Sequence, residues 1–207
     1  MSNCGCHAQA SNEAERRILR LALGLNATMF VIGIVAGLIV QSMGLVADSL
    51  DMLGDACAYG IALMALMRSA RFKAAAAQWN GTLLIVLGLG VLAGVVWRLT
   101  MGSRPEGAWM MSIAFVSLVV NAIVLRLLAR FQHGDVHLRA IWLCTRADVI
   151  ANLAVITSGL LVLLLHNPVP DLIIGAAIAC YVLKEALGIL REAKEARIAA
   201  LAPIGKP

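Results

Sequence analysis

The stretch Met43–Arg68, MGLVADSLDMLGDACAYGIALMALMR, limits what this chain can be more than any other. It has the length and apolar content of a membrane-spanning helix. Yet it carries three carboxylates, Asp48, Asp51 and Asp55. A lone carboxylate at the centre of a bilayer costs at least about 2.5 kcal/mol even on lenient insertion scales. Asp51 and Asp55 are four residues apart and share a helix face; Asp48, three residues before Asp51, flanks that face. Carboxylates stacked in this way repel each other in a low dielectric, and they persist only by sharing protons or holding a cation. The pattern points to a divalent-metal site inside a transporter.

The rest of the chain agrees with a membrane setting. Of 207 residues, 61% are hydrophobic and 14% charged, against about 45–50% and about 25% in soluble domains. Mean hydropathy is +0.87. Apolar runs predict six spans, at about 15–40, 43–68, 79–99, 109–131, 139–165 and 171–191. The expected fold is therefore an all-α integral membrane bundle of six transmembrane helices, with 15–191 as one membrane domain. Residues 1–14 form a polar N-terminal tail and 192–207 a short amphiphilic one, leaving no room for a soluble C-terminal domain. No secretory signal peptide is expected, because the first apolar run is too long for one.

The net charge of +5 does not imply a nucleic-acid partner, because the cations sit at helix ends rather than in a soluble patch. Arg16, Arg17, Arg20, Arg71, Lys73, Arg139, Arg191 and Lys194 fall on the side of the termini, whereas Arg98 and Arg104 fall on the other. The positive-inside rule then places both termini in the cytoplasm. Membrane lipid is the surrounding partner, with Trp79 and Trp97 as interface anchors of the third span.

Several polar residues carry expectations of their own. Cys4, Cys6 and His7, in the tail's CGCH, are soft-metal ligand types and form an accessory metal-capture candidate. Asn26, alone in the first span, is expected to hydrogen-bond across to another helix. Gly81, Gly88, Gly90 and Gly94 give the third span small faces for close packing, and Asn121 is the lone amide of the fourth. His133, Asp135 and His137, in QHGDVHL, read as a solvated loop. Asp171 opens the sixth span, where a carboxylate favours the positive end of the helix dipole, so a capping role is expected.

The fifth span reads IWLCTRADVIANLAVITSGLLVLLL. Cys144 and Asp148 are four residues apart on one face, and Asn152 continues it by a turn. Arg146, about 200° of helix rotation from Asp148, does not share that cleft. Two helices thus each present a ligand pair at i and i+4. Packed together, Asp51, Asp55, Cys144 and Asp148 surround one ion. Mixed oxygen and sulfur donors suit a tetrahedral zinc-like site, and the thiol argues for zinc, cadmium or cobalt over magnesium or calcium. Asp48 and Asn152 stand behind these ligands as supporting residues, Asp48 as a structural brace or a proton relay.

LVADSLDMLGDA resembles the second helix of the cation diffusion facilitators, in which Ala-Asp is followed by His or Asp and, four residues later, by Asp. Asp51 and Asp55 occupy those last two positions. CTRADVIANLAVI is similar to that family's fifth helix, where His-x-x-x-Asp is usual; Asp148 matches the Asp, and Cys144 stands where His is commoner. PDLIIGAAIACYVLKEALGILREA is similar to the sixth helix. The resemblance implies the family's six-helix bundle, cation efflux from the cytoplasm, residence in a bacterial inner membrane, and a homodimer formed through membrane helices. The Cys144 substitution alters ligand softness, so the family's zinc preference does not transfer automatically.

The expected mechanism follows from charge. With a divalent ion bound, the anionic ligands are neutralised; with the ion gone, protons replace it. Alternating exposure of such a site gives metal/proton antiport, with protons as counter-ions. The divalent metal is cargo, and no permanently bound cofactor is expected. Two rivals stand beside this reading. A metal-binding sensor or scaffold would bind without transport. An intramembrane aspartyl protease would need Gly-x-Gly-Asp, whereas Gly54-Asp55 follows Met52-Leu53. Haem chemistry is disfavoured because no histidine lies deep in a span.

Overall fold

The computed structural model describes residues 4–65, 70–129 and 136–199. These form six helices: α1 (Cys4–Ile39), α2 (Met43–Ala65), α3 (Ala70–Met101), α4 (Gly107–Leu128), α5 (Val136–Leu165) and α6 (Val169–Ala199). His133 and Asp135 lie outside the described residues. The Ala74–Gln78 stretch, which the predicted spans 43–68 and 79–99 leave between them, belongs to α3. Its alanines are the best helix formers and nothing in it breaks a helix. In the same way α1 extends back to Cys4 and takes in the polar tail.

Among the described residues five helices are long and apolar enough to cross a membrane: α1, α3, α4, α5 and α6. The sixth expected span, α2, is not among them, because every 18-residue stretch of Met43–Ala65 contains all three aspartates. The chain is an integral membrane protein, and its inside-out polarity shows it. Val31, Leu38, Val86, Trp79 and Trp97 are exposed, whereas Asn26, Asp48, Asn121, Asp148 and Asn152 are buried. A hydrocarbon solvent favours that arrangement, since apolar side chains meet lipid and polar ones find partners inside.

The helices pair as α1 with α2, α4 with α5 and α3 with α6, and α2 lies among them, packed on α1, α3, α5 and α6. Small residues make the contacts close. Gly37 lies against Val46, Gly81 and Gly88 lie against Leu190 and Leu183 of α6, and Gly175 lies against Met43. Gly94 meets the Met43 side chain, while Gly90 faces open space. Two apolar clusters result. The larger joins Leu45, Leu50, Leu84, Met110, Val155 and Val182; the smaller joins Ile18, Leu19, Tyr59, Val124 and Leu128.

One end of the bundle is tied by the chain turns. Gln41 turns the α1–α2 junction with φ 55°, a left-handed conformation that glycine takes more easily. Its carbonyl accepts from Arg98, and the Glu106 amide donates to the Val40 carbonyl at 3.2 Å. Ser42 caps α2, its hydroxyl accepting from the Leu45 amide at 3.1 Å. Asp171 completes the cap from α6. Its carboxylate accepts from Ser42 Oγ at 2.6 Å, from the Met43 amide at 2.8 Å and from the Gly44 amide at 2.9 Å. The expected capping role is therefore exercised on α2, 128 residues away, rather than on the helix that Asp171 opens.

Candidate functional site

The acids of α2 gather where α2 meets α5 and α6. Asp48 lies on the tightly packed half of α2, where residues 42–50 are all buried; Asp51 and Asp55 lie on the half-buried remainder. Asp148 of α5 is 5% exposed and stands within hydrogen-bonding reach of both Asp51 and Asp55. Close carboxylate oxygens share a hydrogen bond only when one of them carries a proton. As acceptors alone, Asp51 Oδ2 and Asp148 Oδ2 are buried without a partner. The charges bearing on Asp51, Asp55 and Asp148 are all carboxylates among the described residues. Such a cluster is tolerable in a low dielectric only with protons or a cation present.

The structure therefore brings Asp51, Asp55 and Asp148 together across two helices. Among the described residues, however, no three His, Cys, Asp or Glu side chains are gathered closely enough to cage an ion as they stand. The carboxyls meet pairwise at Asp148. Cys144 sits on the α5 backbone one turn before Asp148, but its side chain is outside those the structure describes, as are those of Cys4, Cys6 and His7 on α1 and of His137 on α5. Arg146 is exposed, away from the acids.

The two supporting residues touch each other. Asn152 Nδ2 donates to Asp48 Oδ1 at 2.6 Å, and Asn121 Nδ2 donates to Asn152 Oδ1 at 3.3 Å. All three are buried, so α2, α5 and α4 are joined by a polar chain one turn from the acid pair. On the other side of the pair, the Tyr59 hydroxyl donates to Asp55 Oδ2 at 3.4 Å and shares a hydrogen bond with Thr145 Oγ1 at 3.0 Å. Tyr59 and Thr145 are buried and join α2 to α5 a second time. Sequence reasoning passed over this pair, although Tyr59 follows Asp55 by four residues and Thr145 follows Cys144 directly. It also passed over Glu185 of α6, whose charge bears on Asp51 and Asp55.

Asn26 does not make the expected bond across helices. Its Nδ2 donates to the Ala22 carbonyl of its own helix at 3.1 Å, and its Oδ1 is buried without a partner. A groove of about 710 Å³ opens between α1, α2 and α3, lined by Leu23, Cys57, Ile61, Trp79, Asn80 and Leu83 among others. None of its lining residues is one of the clustered acids.

Comparison with known proteins matches these features to one family. Residues 19–196 match the cation efflux transmembrane domain. The metal cation efflux system protein CzcD of Cupriavidus metallidurans is 26% identical over 168 residues, covering 75% of this chain and 53% of that protein. The zinc transporter ZitB of Escherichia coli is 26% identical over 207 residues, covering 92% of this chain and 64% of that protein. The cadmium, cobalt and zinc/H(+)-K(+) antiporter of Bacillus subtilis is 21% identical over 195 residues, covering 86% and 62%. The chain thus spans between about half and two thirds of the length of these relatives. The match takes in α1 from Leu19 onward and nearly all of α2 to α6, including both α2 and α5 with their clustered acids, and so the chain belongs to the cation efflux family, a family of transporters and not of enzymes.

Proposed function

We propose that the chain exports divalent transition-metal cations from the cytoplasm, zinc foremost and cadmium or cobalt after it, in exchange for protons. Asp51, Asp55, Asp148 and Cys144 are the ligands in this reading, with Asp48 and Asn152 behind them. The observation that carries it is the approach of Asp148 to both α2 acids across a helix boundary inside a membrane domain. A divalent cation neutralises such a group, and protons neutralise it when the cation leaves. Both loaded states are therefore electrostatically satisfied, as an exchanger requires. The names of the relatives, which include zinc transport and cadmium, cobalt and zinc antiport, support the choice of cargo.

The same reading places the protein in a bacterial inner membrane with both termini cytoplasmic, supported by the cation distribution. A homodimer through membrane helices, and metal capture by Cys4, Cys6 and His7 at the start of α1, are further parts of it. Zinc uptake into inside-out vesicles with an imposed pH gradient tests the reading. Gradient-driven uptake in wild type, lost in Asp55→Ala, is the expected result. Binding without uptake would instead make the protein a sensor or scaffold.

A further inference from the structure

We propose that the groove between α1, α2 and α3 is a lipid site that takes one phosphatidylethanolamine molecule, with acyl chain along its apolar floor and the headgroup ammonium on Asn80. The proposal needs only the membrane setting of the fold; neither the metal site nor transport enters it.

The groove exists because two neighbours of α2 do not meet. α1 and α3 each pack on α2 but make no contact with each other among the described residues. The gap is floored by the small residues Ala56, Cys57 and Gly60 of α2. A Cβ at Gly60 would meet only Leu23, at 4.0 Å, so the floor is open there. The volume of about 710 Å³ falls within the range of about 300–1,000 Å³ usual for small-molecule sites. Leu23 of α1, Met64 of α2 and Leu83 and Val86 of α3 make the walls apolar.

Depth suits an upright lipid. Trp79 and Trp97 are 80% and 63% exposed. The stretch of α3 between them is about 27 Å long at the α-helical rise, which fits a hydrocarbon core of about 30 Å. Trp79 therefore stands at a headgroup boundary, where tryptophan is favoured, and its neighbour Asn80 stands at that level too. Val86 lies two turns further along α3, about 10 Å into the hydrocarbon. The groove thus runs from headgroup level into the acyl region.

Asn80 supplies the polar contact. It is 7% exposed, it lines the groove, and its Oδ1 is buried without a partner. Thr82, the hydroxyl of the lining, is already donated to the Gln78 carbonyl at 2.9 Å. A buried carbonyl oxygen calls for a donor. No lining residue is charged, so the groove offers nothing to hold a net anion, and a zwitterionic headgroup with N–H donors fits it. Phosphatidylethanolamine has such an ammonium, whereas the fully methylated nitrogen of phosphatidylcholine has no donor. A protein partner fits poorly, because the lining is 12 residues against about 20–30 on each side of a standard interface.

The test is native mass spectrometry of the purified full chain in detergent holding equal amounts of phosphatidylethanolamine, phosphatidylglycerol and phosphatidylcholine with the same acyl chains. Wild type is expected to retain one phosphatidylethanolamine per chain, roughly fivefold over phosphatidylcholine, the ratio that one net hydrogen bond supplies. Asn80→Ala is expected to bring phosphatidylethanolamine down to the phosphatidylcholine level. Gly60→Leu fills the floor and is expected to abolish retention of all three. Equal retention of phosphatidylethanolamine and phosphatidylcholine by wild type would overturn the proposal, and so would a preference for phosphatidylglycerol or retention that neither variant alters. A dimer that disappears in Gly60→Leu, with no lipid bound in wild type, would make the groove a contact between copies and overturn the proposal as well. The wild-type comparison of headgroups decides the matter without relying on the folding of either variant.

Discussion

Asn152 and Asp48, 104 positions apart in the chain, are joined by a 2.6 Å hydrogen bond in a fully buried setting. Asn121 donates in turn to Asn152, so one amide serves both as donor to a carboxylate and as acceptor from a second amide. The bond lies one turn from Asp51 on α2 and one turn from Asp148 on α5, and it holds the two acid-bearing helices in register. Loss of one partner leaves the other buried and unsatisfied. Asn152→Ala is expected to destabilise the protein by about 1–3 kcal/mol, read as a lower midpoint of thermal unfolding in detergent. Asp48→Asn keeps an acceptor for Asn152 and is expected to cost less than half of that. Equal losses in the two variants would contradict this account of the bond.

Asp171 accepts three hydrogen bonds at the start of α2. Replacement of a capping side chain by alanine typically costs about 0.5–2 kcal/mol. Asp171→Ala is expected to lie at the upper end of that range, because two backbone amides and the Ser42 hydroxyl lose their acceptor together. Asp171→Asn retains one oxygen and should fall between. Hydrogen exchange at Met43 and Gly44 gives the local readout, with faster exchange expected in Asp171→Ala and no change elsewhere in α2.

Proton competition sets the sign of the pH dependence. Anionic ligands must lose protons before they bind metal, so zinc affinity is expected to fall as pH falls and protons to be released on binding. Calorimetric titrations of zinc in buffers of different ionisation enthalpy measure that release directly. Asp148→Asn removes one titrating ligand and should lower the number of protons released. Zinc affinity that stays constant across pH would rule out metal and proton exchange at this site.

The thiol position governs softness. Cys144→His is expected to shift preference from cadmium toward zinc, since imidazole is the harder donor. Competition between the two metals for uptake by the same vesicles is the measurement, and an unaltered ratio would remove Cys144 from the ligand set.

Tyr59 joins Asp55 to Thr145 through its hydroxyl. Tyr59→Phe keeps the packing of the ring against Leu19 and Val124 and removes only the oxygen. Zinc affinity is expected to drop by about tenfold, the low end for loss of a group that orients a ligand, with stability lowered by about 0.5–1.5 kcal/mol. Thr145→Val should weaken binding in the same direction.

Contacts between neighbours in sequence were legible in advance, and contacts between distant residues were not. The i, i+4 spacing of Asp51 and Asp55, and of Cys144 and Asp148, is visible in the string because helical periodicity alone puts each pair on one face. Asp48 and Asn152 are recognisable as supporting groups for the same reason, though nothing in the string shows that they bond each other. Asp171 looks like a cap for its own helix, because local reasoning sees only the dipole it opens; the amides of Met43 and Gly44 reach it through the folding of three intervening helices. Asn26 turned to the Ala22 carbonyl, a partner that every helix offers, where a partner on another helix was expected. Glu185 is one acid on the polar half of a span, and its pattern is that of any headgroup-facing residue until α2 is packed beside it.

The Asp171 cap has a mechanical consequence. It anchors the first turn of α2 to α6, while Asp51 and Asp55 lie 8 and 12 residues beyond Met43, about 12 and 18 Å along the helix axis. The anchored turn is a fulcrum and the acid-bearing stretch is the arm. A tilt of about 10° about that turn carries Asp51 roughly 2 Å and Asp55 roughly 3 Å sideways on an axis of this length. Displacements of that size exceed the tolerance of a metal–oxygen bond, which spans a few tenths of an ångström. A modest rocking of α6 with α2 in tow is enough to make or break the ligand set, while the three hydrogen bonds at the fulcrum stay intact.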